Sequence, residues 1–336
     1  MTEEEALNLM VAPGTRRPGK WMEGVMQIHL TRACDLSCSN CTQGSQFGGK
    51  PDFMTLDNFE KACRSLKGYF GLVGIFGGNP ALHPQFPQIC DILRSYFPQE
   101  QCGLWCNNPR GHGAVMRKTF NPSMSNLNVH LRSEAFEEFK RDWPESRPFG
   151  LDKDSRHSPV HGNLAKFVPE ESERWKLISN CPINQHWSAM LCQIRGELRA
   201  FFCEIAGSQA ILNQHNPDYP DIGMPICEYC NGTGTITAYR GEPSQGTELV
   251  RCDGCFGKQW WRKPMQDFAE QVRFHCHRCL VPLNGHGALA QQEHVTTITE
   301  EYSHLKPKGS HLLEILDSGD DIHCESTRKV IQYLGH

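Results

Sequence analysis

Between residues 24 and 143, short apolar runs alternate with amphipathic ones, and this alternation limits the possible folds more than any other feature. The runs "GVMQIHLT" (24–31), "GLVGIFGG" (71–78), "CGLWCN" (102–107) and "NLNVHL" (126–131) read as strands. Between them, "TLDNFEKACRSLKGYF" (55–70) sets Phe59, Cys63 and Leu66 on one helical face behind a Thr55 N-cap, and "PQFPQICDILRSYF" (84–97) repeats the pattern. "AVMRKTF" (114–120) and "SEAFEEFKRDW" (133–143) are weaker helical segments. Strands that each lead into a helix predict an α/β fold, a parallel sheet with helices packed outside it.

The pattern dissolves over 144–168, a polar stretch with three prolines. A helix resumes over "PEESERWKLIS" (169–179), and "SAMLCQIRGELRAFFCEIAG" (188–207) predicts a β-hairpin turning at Arg195 and Gly196. Cysteines then come in pairs, at Cys227/Cys230, Cys252/Cys255 and Cys276/Cys279, the last after a helical "PMQDFAEQVRF" (264–274). Beyond 287 the chain is polar and, apart from Cys324, free of cysteine.

A chain of 336 residues has room for two linked domains. With 34 basic against 38 acidic residues, a net charge of −4, nucleic acid is unsupported as a partner and a membrane surface is not expected. Without an 18-residue apolar run or the apolar core of a signal peptide, the expected location is the cytoplasm. Seventeen cysteines, mostly in close groups, therefore point to metal binding rather than to a disulfide scaffold.

Cys34, Cys38 and Cys41 form a C-x3-C-x2-C triple on a loop leaving the first strand. Structural zinc takes four closed ligands, and the local loop has no fourth cysteine or histidine. Thiolates also hold cubane iron–sulfur clusters, one per iron, so three of them leave one iron open. The bland alternative is a zinc completed from a distance, for instance by His29.

The triple resembles the signature of radical S-adenosylmethionine (radical SAM) enzymes, whose partial or full (β/α) barrel carries this loop after its first strand. That resemblance implies a partial TIM-like barrel over 24–180, a [4Fe–4S] cluster on Cys34, Cys38 and Cys41, and S-adenosylmethionine chelated by the open iron. It further implies reductive cleavage to a 5′-deoxyadenosyl radical that takes hydrogen from a substrate, with an electron donor such as flavodoxin or ferredoxin. "GIFGGNP" (74–80) stands where the family has a Gly-Gly-Glu-Pro run contacting the methionine amino group, which implies cofactor contacts at Gly77, Gly78, Asn79 and Pro80. Glycines also suit close backbone approach on physical grounds. Asn79 departs from the usual acid, and Asn40 from the aromatic residue common before the last cysteine. Asn107, Asn108 and His130, at ends of the third and fourth strands, are candidates for ribose, carboxylate or substrate contacts. Cys106 is a minor candidate, and Cys63, Cys90 and Cys102 read as buried core thiols.

The segment "CPINQHWSAMLCQIRGELRAFFCEIAG" (181–207) resembles the start of the SPASM or twitch auxiliary-cluster domain. The resemblance implies an auxiliary [4Fe–4S] cluster held by Cys181, Cys203, Cys276 and Cys279 in a small cysteine-rich α+β domain over 181–286, with Cys192 competing with Cys181. His275, His277 and His286 read as surface groups or neighbours of this set rather than ligands, His277 being close enough to stand in for a thiolate. Within 225–258, Cys227/Cys230 and Cys252/Cys255 lie 21 residues apart, a zinc spacing whose first half is similar to the knuckles of J-domain chaperones, with an iron–sulfur cluster as rival. Residues 1–23 and 287–336 read as terminal segments. The expected activity is dehydrogenation or epimerisation of a small polar metabolite: a sugar, aminocyclitol or nucleotide-linked sugar. Alternatives are a maturase that crosslinks a ribosomally made peptide and a non-enzymatic metal-binding module.

Overall fold

In the computed structural model, which describes residues 1–16, 24–152, 159–239, 247–255, 257–283 and 295–316, the fully buried run Val25–His29 forms a central strand, β1. β2 (Val73–Phe76) pairs with β1 in parallel, and β3 (Cys102–Leu104) pairs in parallel with β2. On the far side of β1 lies β4 (Ser188–Ile194), also parallel, followed by antiparallel β5 (Glu197–Phe201) and β6 (Met224–Pro225), for an order β3-β2-β1-β4-β5-β6.

The register sorts side chains by face, since neighbours across a ladder point the same way. Met26, Ile28, Val73, Ile75, Cys102 and Leu104 share one face, all buried. It faces the helices: α1 is Glu3–Leu9, α2 is Leu56–Ser65 and α3 is Phe86–Tyr96, and Cys63 on α2, Cys90 on α3 and Cys102 belong to one buried cluster. α2 starts as its sequence predicts, with Thr55 Oγ1 accepting from Asn58 N at 3.2 Å. α4 (Gly113–Thr119) and α5 (Ser133–Asp142) follow. The opposite face carries Gln27, His29, Gly74, Phe76 and Gly103, and here the indole of Trp105 lies over the two glycines. A Cβ on Gly74 would come within 2.5 Å of that ring, so the glycines make room for it.

Three expectations change. The predicted strand 126–131 is reduced to single parallel bridges, Trp105 to Asn126 and Asn128 to Phe149. His130 and Leu131 have φ of +48° and +66°, which no strand accommodates, and Asn128 Oδ1 accepts from His130 N to close a turn instead. The sheet is thus parallel-rich and open among the described residues, and no closed barrel is seen. Secondly, α6 (Glu171–Ser179), α7 (Pro182–His186) and the hairpin β4–β5 do not begin a separate sheet, because β4 is a direct neighbour of β1. The expected boundary at residue 180 therefore crosses one continuous structure. Arg195 and Gly196 do make the hairpin turn, both at positive φ as a two-residue turn demands.

Thirdly, the segment beyond residue 287, read as terminal, carries paired strands of its own. α8 (Glu204–Asn213) covers β4, β7 (Thr235–Tyr239) and β8 (Thr247–Arg251) form a hairpin between the two cysteine pairs, and α9 (Ala269–Cys276) follows a 3-10 turn, so the helix expected over 264–274 ends at Cys276 itself. β9 (Val295–Ile298) and β10 (Leu312–Ile315) then pair in parallel. His286 and Cys324 lie outside the described residues. Among those described, no helix is long and apolar enough to cross a membrane.

Candidate functional site

Where β1 ends, the chain enters the loop that carries Cys34, Cys38 and Cys41, and all three line a cavity of ≈ 620 Å³. Gly77 and Gly78 line it as well, though their small size is needed first for packing against the cysteine loop. A Cβ on Gly77 would meet Thr31 O at 2.4 Å, and one on Gly78 would meet Ala33 O at 2.4 Å. Gly77 also has φ of +146°. This approach lets Gly78 N donate to Thr31 O (2.8 Å) and Asn79 N to Ala33 O (2.7 Å), so the end of β2 is stitched to the cysteine loop.

Asn79 and Pro80, expected to touch the cofactor, do not line the cavity. Asn79 is fully buried and spends its amide internally: Oδ1 accepts from Ala81 N (3.3 Å) and from the Cys106 thiol (3.1 Å), and Nδ2 donates to Asn108 O (3.1 Å). Asn107 does reach the site, with Nδ2 donating to Cys34 Sγ at 3.3 Å. Its amide is oriented by Arg132, whose Nη2 donates to Asn107 O (2.8 Å) and Oδ1 (2.7 Å) while Nη1 pairs with Asp35 at 2.9 Å. Asn108 Nδ2 donates to the same Asp35 oxygen at 3.1 Å, outside the cavity. His130, held in its left-handed turn, brings Nδ1 to 3.9 Å from Cys38 Sγ. Trp105, Phe76, Asn126, Asn128 and Cys106 line it too, and Thr42, Gln43 and Ser45 complete the wall. Arg132, Asp35 and Asn126 escaped the sequence reading, because nothing local to either charge marks a partner 97 residues away.

The donor set suits a cluster better than a lone ion. No three ligand atoms of the triple and its surroundings lie within 4.8 Å of one another, a spacing met among the described residues only at Cys227, Cys230, Cys252 and Cys255. His29, the distant zinc ligand considered above, is buried against Phe76, does not line the cavity, and has its pKa pulled to about 3 by burial and by Arg32. Ser45 Oγ is buried in the cavity wall with no hydrogen-bond partner in the described chain, which fits a polar ligand there.

Residues 28–140 match the family model of the radical SAM superfamily. They form a radical SAM domain. Such a domain implies a [4Fe–4S] cluster and S-adenosylmethionine, and it supports enzymatic activity. Among solved structures, the crystal structure of BtrN in complex with AdoMet and 2-DOIA is similar at 11% identity and a TM-score of 0.36, over 57% of this chain and 82% of that one. No curated protein matches.

Outside the radical SAM domain, Cys181, Cys203, Cys276 and Cys279 converge on a cavity of ≈ 370 Å³ walled by Met10, Ile178, Ile183, Phe202 and Val281. Cys192 does not line it; that thiol lies within β4, near Arg199 and Asp221. Helix termini supply the geometry, with Cys181 just before α7, Cys203 just before α8 and Cys276 closing α9. Burial pushes all four thiols up, Cys203 to about 12, so a cationic centre is what would draw them to thiolates. His275 lines the same cavity and is fully buried, not superficial, whereas His277 packs edge-on against Trp175 and does not line it. Arg16 lies near, 2% exposed: Nη2 donates to Phe202 O at 2.6 Å, but Nε and Nη1 have no partner in the described chain. Burial draws its pKa down to about 10 against the pull of Cys203, so it stays charged at neutral pH.

The third set is tighter. Cys227 and Cys252 sulfurs are 3.7 Å apart, and those of Cys230 and Cys255 3.5 Å. Both knuckles share one backbone turn, Gly232 N to Cys227 O and Thr233 N to Cys230 O in the first, Gly257 N to Cys252 O and Lys258 N to Cys255 O in the second, all at 3.0 Å. The second knuckle thus repeats the first despite its partial sequence likeness.

Gly78→Ala is expected to cost about 1–3 kcal/mol of stability, the usual penalty for forcing atoms into a packed contact. Urea denaturation measures it, and a change within error would mean that the stitch between β2 and the cysteine loop is loose.

Proposed function

We propose that this chain is an enzyme that removes hydrogen from a small polar metabolite, such as a sugar or aminocyclitol, for dehydrogenation or epimerisation. The observation that carries the reading is the wall of the radical SAM cavity. Among the described residues it contains no Lys, Arg, Asp or Glu, but it presents Asn107, Asn126, Asn128, Gln43 and His130, groups that donate to and accept from hydroxyls and amines. A phosphate or carboxylate would want a cation there, so a nucleotide-linked sugar is a weaker fit.

In this reading Cys34, Cys38 and Cys41 hold the cluster. When bound, the cluster and S-adenosylmethionine supply the radical. Gly77 and Gly78 present backbone to the methionine end, with Asn107 and His130 beside it, while Trp105 and Phe76 offer the flat apolar surface for adenine that Asn40 does not. Cys181, Cys203, Cys276 and Cys279 hold an auxiliary [4Fe–4S] cluster with no open position, suited to passing electrons. Its positive neighbour Arg16 favours the reduced form of an anionic centre. Cys227, Cys230, Cys252 and Cys255 hold zinc, because a tetrahedral zinc with sulfur bonds of ~2.3 Å sets its sulfurs ~3.8 Å apart, close to the spacing found. Flavodoxin or ferredoxin is the proposed electron donor, and the cytoplasm the proposed location.

Anaerobically reconstituted protein reduced with dithionite should convert S-adenosylmethionine to 5′-deoxyadenosine, and Cys38→Ala should abolish this. Wild-type protein that makes none under any reductant would end the proposal. In a redox titration followed by electron paramagnetic resonance, Arg16→Gln should move the auxiliary cluster to a more negative midpoint and leave the other cluster in place; an unmoved midpoint would remove Arg16 from the account.

A further inference from the structure

The described part of the C-terminal segment lies across the cysteine loop of the radical SAM domain. Asn40, directly before Cys41, sits at φ of +52° and is 1% exposed. β9 supplies partners for it: Asn40 N donates to Thr296 Oγ1 (3.1 Å), and Asn40 Oδ1 accepts from Thr297 N (3.1 Å) and Thr297 Oγ1 (3.3 Å). Thr296 Oγ1 in turn meets His311 Nε2 at 2.7 Å. In the connection between β9 and β10, Lys308 Nζ donates to Cys34 O (2.7 Å) and Leu36 O (3.1 Å), and its backbone N to Gln46 O (2.8 Å). Gly48 N donates to Lys306 O (2.8 Å), and Phe47 packs with Ile298 and Tyr302.

Among the described residues, the loop's own backbone bonds are turns, Cys41 N to Cys38 O, Gly44 N to Cys41 O and Phe47 N to Gly44 O. A loop of that kind does not by itself fix three sulfurs, and 296–308 supplies backbone anchors at residues 34, 36, 46 and 48 and side-chain and backbone anchors at Asn40, beside those that Asn107 and Arg132 make at residues 34 and 35. The same segment reaches the second cysteine set. Tyr302 OH donates to Arg278 O (2.8 Å), between Cys276 and Cys279, and Thr299 N to His161 O (3.4 Å), the residue bridged to Cys279.

We propose that residues 295–316 are a strap that positions the cysteine loop of the radical SAM site and ties it to the Cys276–Cys279 turn, with Asn40, Thr297 and Lys308 as positioning residues. In this chain Asn40, in place of the usual aromatic residue, is the strap's anchor. Lys308 adds a positive charge behind the loop. The strap rests on the proposed function only where S-adenosylmethionine is used as a probe.

Hydrogen–deuterium exchange on the full chain, without and with reconstituted iron, tests the strap. Lys308→Met and Thr297→Val should each speed exchange across 34–48, the lysine variant by about tenfold or more, as expected for losing two charge-assisted hydrogen bonds, while β1 to β3 keep their protection and Lys308→Arg restores the loop. Exchange across 34–48 that is unchanged, or a rise confined to 295–316, would overturn the strap; so would a rise spread evenly over β1 to β3. In reconstituted protein, Lys308→Met should also need more S-adenosylmethionine than wild type to perturb the spectrum of the reduced cluster, and Lys308→Arg should recover it. If wild type shows no such perturbation, the proposed function fails, whereas the exchange result still decides the strap.

Discussion

The carbonyls of Thr31 and Ala33 occupy the space where a side chain on residue 77 or 78 would have to go, and the two backbones meet there through hydrogen bonds of 2.8 and 2.7 Å. That contact turns two neighbouring parallel strands into a floor for the cysteine loop. From it follow the position of Cys34, the reach of Asn107 to its sulfur, and the Arg132–Asp35 pair that locks the end of β3 onto the same loop. Trp105 enters the cavity only because Gly74 and Gly103 leave the inner face of the sheet bare.

The three cysteine sets differ in closure and in spacing, and those two properties separate their chemistry. Three sulfurs line a polar cavity, four are spread around a mostly apolar one, and four lie within 4.8 Å of one another; in the proposed reading these suit an open cluster, a closed cluster and a single ion. The first set belongs to a radical SAM domain. Of the other two, the set with Cys181 and Cys203 borders strands β4 and β5 of the same sheet, and the set at Cys227–Cys255 borders the separate hairpin β7–β8.

Much of this is legible in the sequence where the signal is local. Thr55 announces α2, Arg195 and Gly196 announce a hairpin, and the C-x3-C-x2-C and paired C-x2-C spacings mark cysteines that the fold brings together. What sequence does not carry is partnership at a distance or a backbone state. The strand expected over 126–131 stops because His130 and Leu131 adopt left-handed conformations that neither residue type advertises. Asn79 looks like a ligand contact in a one-dimensional motif, yet burial makes it satisfy itself against Ala81, Cys106 and Asn108. Arg16 and Lys308 lie in segments that read as termini, and only the fold brings the one near Cys203 and the other onto Cys34.

Anomalous diffraction from crystals of the reconstituted protein, collected at the iron and zinc edges, tests the division of labour among the sets most directly. The account predicts iron at Cys34, Cys38 and Cys41 and again at Cys181, Cys203, Cys276 and Cys279, with zinc alone at Cys227, Cys230, Cys252 and Cys255. Zinc at the triple, or no metal in the cavity of Cys181, Cys203, Cys276 and Cys279, would contradict it.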